Sequence, residues 1–279
     1  MESVGIASII IILITIVTSY RGFKDYALIK AYAFDVDGIL VRKEYNRIIS
    51  SGFLHTGVWH LGFNMITLYL FGDNIESTLG IFLFLLIYFL SLIGGSLFSL
   101  YIHRNHGDYT AVGASGAVSG IIFAAIALIP SMKLGLLFLP PELSLPAWAF
   151  GLVYVIYTIF GIKTGHGNIG HAAHLGGGIV GMIVALIFQP SAIATNAFPI
   201  LCILIPSVVF LFLLFVKPAL LLVDHPFNKT KGYQTIEDKY YEKKRAKEYE
   251  LDDLLDKINR SGINSLSKEE KDRLDELSN

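Results

Sequence analysis

Apolar stretches of about twenty residues recur along this 279-residue chain. Each is long enough to cross a bilayer core of about 30 Å as a helix rising about 1.5 Å per residue. They fall near 3–20, 53–72, 80–102, 112–130, 147–163, 170–189 and 198–223. In hydrocarbon every backbone N–H and C=O must be paired within the protein, so such a chain folds as a bundle of spanning helices. Composition agrees. Only 16% of residues are charged and 53% are hydrophobic, where a soluble domain carries about a quarter charged. Charge is also segregated, sparse over 51–223 and dense over 224–279. The pattern predicts an all-α multipass membrane protein. Six transmembrane helices form a core over 1–190, a seventh C-terminal helix lies within 191–223, and 224–279 is a charged, soluble helical tail.

The connections refine this outline. Val4 to Ser19 is apolar but follows Glu2 rather than a basic residue, so it reads as a retained first helix and not a secretory leader. The segment 21–51 interleaves Phe23, Tyr26, Tyr32, Phe34 and Tyr45 with charges, which suits a first loop lying in the interface. Pro199, Pro206 and Pro218 punctuate the last apolar window, which either crosses or turns back as a re-entrant hairpin. In the tail, 237–260 reads as a charged helix, and Ser267-Lys268-Glu269-Glu270 is a capping box opening a final short one. A net charge of −1 without a basic face gives no footprint for nucleic acid. The single cysteine, Cys202, excludes an intramolecular disulfide.

A serine and a histidine stand out at membrane depth. Small residues let helices approach closely in lipid. Gly116 and Gly120 share one helix face, with Ser115 and Ser119 on the adjacent stripe. In a later helix Gly170, His174, Gly177 and Gly181 share another face. If the two glycine faces meet, Ser115 and His174 come within the 2.6–3.2 Å or so over which a serine passes its proton to a base. Acyl transfer also needs donors for the developing oxyanion. His60 and Asn64 lie one turn apart and project from one face. The backbone N–H groups of Ser115 and its neighbour Ala114, at a helix N-terminus, complete such a hole. No Asp or Glu falls in a span where it can orient His174, so the arrangement is a dyad, not a triad. The G-x-S-x-G elbow of soluble hydrolases is absent.

These residues, in this order, resemble the rhomboid intramembrane serine proteases of bacterial type, over about residues 45–190. The likeness includes Ser51-Gly52-Phe53-Leu54-His55, His60-x-x-x-Asn64, Phe71-Gly72 with Glu76 and Gly80, the Gly113-Ala114-Ser115-Gly116 serine, and Ala173-His174 with Gly177 and Gly181. The resemblance implies a six-helix core enclosing a wet cavity. It makes Ser115 the nucleophile and His174 its base, with His60, Asn64, Ala114 and Ser115 at the oxyanion. Gly113, Gly116, Gly120, Gly177, Gly181 and Glu76 are then structural. The resemblance implies no metal and no organic cofactor. Its implied partners are membrane lipids and transmembrane protein substrates whose helices unwind readily, as with Gly, Ala or Pro near the surface. There are two departures. The aromatic that often follows the serine by one turn and stacks on the histidine is Ser119 here, and the usual first-loop Trp-Arg reads Tyr45-Asn46-Arg47.

Other readings compete with this one. Phe34-Asp35-Val36-Asp37-Gly38 looks like an aspartyl-phosphate motif, but a membrane span follows where that fold needs a large α/β domain, so a polar interfacial turn is the plainer account. His55, His60, His171 and His174 invite a metal site, yet H-E-x-x-H is missing. His171 lines the cavity or touches a loop. A non-catalytic rhomboid-like protein escorting membrane helices is the alternative from another class, and a small transporter would need paired interrupted helices in two related halves. The resemblance implies a bacterial inner membrane, with the serine opening to the extracytoplasmic side and the N-terminus inside. Arg21, Lys24, Lys30, Arg42, Lys43 and Arg47 then lie outside, against the positive-inside rule, with Asp25, Asp35, Asp37 and Glu44 to blunt them. If the last span crosses, the tail shares the serine's side. A hairpin puts it in the cytoplasm.

Overall fold

The computed structural model describes residues 5–134, 144–164 and 170–216, with 254, 257, 258, 267, 270, 271, 273 and 274 of the tail. The chain forms two units, Met1–Pro226 and Phe227–Asn279. In the first unit α1 (Ile6–Lys24) leads into a first loop holding α2 (Tyr26–Tyr32), α3 (Val36–Leu40), α4 (Arg47–Ser50) and a 3₁₀ turn (Ser51–Phe53). The long helices α5 (Val58–Leu79), α6 (Ile81–His103), α7 (Ser115–Leu128), α8 (Ala147–Thr164) and α9 (His171–Phe188) follow, then short α10 (Ser191–Thr195) and α11 (Ala197–Val216). Two-residue pairings, β1 (Phe34–Asp35) with β2 (Thr110–Ala111) and β3 (Lys133–Leu134) with β4 (Leu145–Pro146), are antiparallel. The architecture is the predicted all-α membrane fold, six helices and a seventh. Helices α1, α6, α8, α9 and α11 are long and apolar enough to cross a membrane.

Helix α7 is the axis of the bundle. It packs chiefly on α9 and α6, then on α5, and every residue from Gly116 to Ala127 is buried. Its 14 residues rise only about 21 Å, less than the bilayer core, so at least one end lies at membrane depth. Asn196, in the turn before α11, donates from Nδ2 to the Ala127 carbonyl at 2.8 Å. It thereby satisfies one of the orphan acceptors at the end of α7. Between α5 and α6 the chain reverses at one residue, Gly80, whose φ of +81° suits glycine.

Buried Glu76 on α5 ties down the start of α1. Its two carboxylate oxygens accept the Ala7 and Ser8 amides, each at 2.9 Å, while Asp73 accepts that of Gly5 at 2.6 Å. A carboxylate is favoured there because the first amides of a helix lack intrahelical acceptors and carry positive partial charge. Glu76→Ala leaves two of these amides without their acceptor. It is expected to cost about 1–3 kcal/mol, read as a lowered thermal unfolding midpoint in detergent.

The first loop is folded, and two of its arginines are held in ion pairs. Arg47, 7% exposed, donates from Nη1 to the Lys30 and Ala33 carbonyls at 2.9 Å each and pairs through Nε with Glu44. The Arg47 hydrogen bond holds the Glu44 carboxyl below its ordinary range, with Arg42 adding to the effect. Arg42 also pairs with Asp35 at 3.2 Å. The Phe34–Gly38 motif is used structurally. Phe34 and Asp35 pair with Ala111 and Thr110, and the Asp35 side chain caps α3 by accepting the Gly38 amide.

Helix α11 is one continuous helix through Pro206, long and apolar enough to cross a membrane. Pro218 lies outside the described residues. The helix packs mainly on α8, with the Phe198 ring edge-on to Trp148 at 4.9 Å. In the second unit Ser267 and Glu270 form a reciprocal capping box. The Glu270 amide donates to Ser267 Oγ at 3.2 Å and the Ser267 amide to Glu270 Oε2 at 2.7 Å. The predicted helix over 237–260 lies mostly outside the described residues.

Candidate active site

Two helices meet here almost backbone to backbone. A Cβ on Gly177 of α9 would lie 2.2 Å from the Gly116 carbonyl oxygen, and one on Gly181 would lie 2.4 Å from Gly120 Cα. Only glycine permits that approach, and it brings the side chains one turn earlier into register. His174 Nε2 lies 2.7 Å from Ser115 Oγ. At that distance a neutral imidazole protonated on Nδ1 can accept the hydroxyl proton. His174 Nδ1 is buried and has no hydrogen-bond partner. Among the described residues no carboxylate hydrogen-bonds the ring from behind.

The surroundings of Ser115 follow from its place at the first position of α7. Its own N–H has no intrahelical acceptor and stands at the positive end of the helix. Gly113, two residues earlier, has φ of +136°. The space a Cβ would need there lies 2.9 Å from His60 Nε2 and 3.6 Å from Ser115 Oγ, so both side chains border the space beside this glycine. Asn64 is buried on α5 and donates from Nδ2 to the His60 carbonyl at 2.9 Å, which leaves its second amide hydrogen free. Ala114 is the N-cap residue of α7. Its N–H donates to Nε2 of fully buried His55 at 3.4 Å, and His55 Nδ1 in turn meets Ser19 Oγ at 3.0 Å. A backbone amide points where φ and ψ send it, which residue identity does not reveal.

His171 is buried with its ring over Gly161 of α8 and 5.1 Å from the Tyr157 ring. Among the described residues no three of His, Cys, Asp and Glu gather as metal ligands would. One residue near the pair went unremarked in the sequence. Tyr154 of α8 stacks on His174, with ring centroids 5.8 Å apart and an interplanar angle of 21°. Its hydroxyl lies 2.9 Å from Ser119 Oγ. Tyr154 is one aromatic among several on an apolar helix, and no local pattern sets it apart.

Comparison with known families now bears on this arrangement. A model of the Rhomboid domain matches residues 42–191, just over half of the chain. The chain belongs to the rhomboid family. This rhomboid is similar to Rhomboid protein 1, mitochondrial, of Saccharomyces cerevisiae, at 36% identity over 58% of this chain and 48% of that protein. It is also similar to RHOMBOID-like protein 12, mitochondrial, of Arabidopsis thaliana, at 31% over 59% and 52%. Rhomboid protease GluP of Bacillus subtilis is 27% identical over 59% and 30%. The chain thus spans about half the length, or less, of these curated relatives. A second match, over 234–279, is to a family of unknown function, DUF6576. The matched rhomboid region contains His60, Asn64, Ser115 and His174.

Proposed function

We propose that this rhomboid is an intramembrane serine endopeptidase acting on transmembrane protein substrates. The observation that carries the reading is the 2.7 Å contact between Ser115 Oγ and His174 Nε2. His174 takes the Ser115 proton as Oγ adds to the scissile carbonyl carbon. The oxyanion forms beside the Ser115 amide, His60 and Asn64. The imidazolium returns the proton to the leaving amine as the C–N bond breaks. Water, deprotonated by His174, then cleaves the acyl-enzyme and restores the Ser115 hydroxyl. Substrates are single-span proteins whose helices unwind easily near the membrane surface. A non-catalytic helix-escorting role does not call for a hydroxyl and an imidazole at proton-transfer distance.

We place the opening of the site on the side of the first loop, outside a bacterial inner membrane, as the resemblance implies. Arg42 and Arg47 of that loop are held in ion pairs with Asp35 and Glu44. A crossing α11 returns the chain to the side on which Ser115 opens.

A fluorophosphonate probe tests the chemistry without knowledge of the natural substrate. Labelling of the wild type and none of His174→Ala is the expected result. Labelling of both at one rate, or of neither, rejects the protease. Asn64→Ala is expected to slow cleavage of a transmembrane reporter by tens- to about a thousandfold, as loss of one oxyanion donor does, with KM little changed.

A further inference from the structure

We propose that Tyr154 is a positioning residue for the Ser115–His174 pair, a strut from α8 that holds the imidazole with its ring and the nucleophile's backbone with its hydroxyl. The inference rests on the protease reading above and extends it to a residue on a third helix. With Nδ1 of His174 buried and unpartnered, no hydrogen bond behind the imidazole sets its angle, and packing must do so. The Tyr154 ring supplies a near-parallel face at 5.8 Å. Fully buried Phe123 meets that ring edge-on at 6.2 Å and 82°, which backs it against the histidine. Aromatic faces in such offset arrangements attract beyond simple area burial.

The hydroxyl end is equally constrained. Ser119 has one hydroxyl proton, and it donates to the Ser115 carbonyl at 2.8 Å. Ser119 Oγ must therefore accept from the Tyr154 hydroxyl, 2.9 Å away. The chain of donors runs Tyr154 to Ser119 to the backbone of Ser115. One side chain thus touches the base directly and reaches the nucleophile through a single relay. Ser119 is 1% exposed, so no larger side chain fits there while Tyr154 is in place. This accounts for the departure at residue 119. The aromatic face absent from α7 is supplied by α8, and the small polar residue left on α7 becomes its anchor.

The test is fluorophosphonate inactivation of the full-length protein in detergent, resolved into kinact and KI, with thermal unfolding recorded alongside. Tyr154→Leu removes ring and hydroxyl. It is expected to lower kinact by about ten- to a hundredfold, the scale of a reacting group displaced by about 1 Å, with KI unchanged. Tyr154→Phe and Ser119→Ala each break the same relay and keep the ring. Each is expected to lower kinact by about two- to tenfold, and the double variant no further than either single one, since coupled partners are not additive. Wild-type kinact in Tyr154→Leu, a loss carried by KI alone, or additive losses in the double variant overturns the strut. If Tyr154→Leu does not fold, the Phe and Ala variants decide, and wild-type kinact in both overturns it. A wild-type protein that labels, a His174→Ala variant that does not and an unaffected Tyr154→Leu reject the strut alone. Labelling that survives in His174→Ala rejects the protease reading itself.

Discussion

Ser115→Ala is expected to abolish cleavage of a transmembrane reporter in proteoliposomes while lowering the unfolding midpoint only slightly. The two expectations have separate physical grounds. Oγ is the only atom removed, and its contact is with His174 Nε2 at 2.7 Å. The relay from Ser119 ends on the Ser115 carbonyl, which alanine keeps. No buried partner is stranded beyond the imidazole, so the stability change is that of one lost hydrogen bond, about 0.5–1.5 kcal/mol. Turnover, by contrast, loses its nucleophile. In soluble serine proteases that removal costs about a millionfold in kcat, which in a membrane assay is silence. Turnover at the wild-type rate would end the proposal, whatever the fold.

Gly177→Ala tests the seam itself. The added methyl would lie 2.2 Å from the Gly116 carbonyl oxygen and 3.0 Å from that of Ser91. Both are backbone atoms on helices that flank α9, so neither swings aside as a flexible side chain would. The helices must separate, at an overpacking cost of about 1–3 kcal/mol. His174 lies three residues before Gly177 on the same helix, so its imidazole moves with the backbone. A displacement of about 1 Å is expected to lower the fluorophosphonate rate by about a hundredfold. Gly57→Ala serves as the control. A Cβ there meets nothing within 4 Å, and wild-type labelling is expected. Equal rates for Gly177→Ala and wild type would show that the two helices tolerate looser packing than the distances imply.

Several features were readable because they are local. The spanning windows show in the apolar runs, since hydrocarbon rejects unpaired backbone over any twenty residues. The glycines of α7 and α9 repeat at helical spacing, which marks a close-packing face before the partner face is known. Ser115 and His174 stood out because polar groups are costly in such a setting. Pro206 behaves differently in the folded helix. Proline removes one backbone donor and suggested a break, yet α11 runs through it, since neighbouring turns carry the helix past one missing bond. The charges of the first loop were also ambiguous one by one. That Arg42 and Arg47 meet Asp35 and Glu44 depends on the folded loop.

Residue order alone was enough for the membrane class and the approximate positions of the helices, because each is written in spacing along a few turns. Three further matters needed the folded chain: that the Ala114 amide donates to His55, that His60 and Ser115 border one space beside Gly113, and that the Tyr154 ring stacks on His174. Each depends on a backbone direction or on contact between distant helices. Proximity of that kind arises only when the glycine seam closes and draws the bundle around α7.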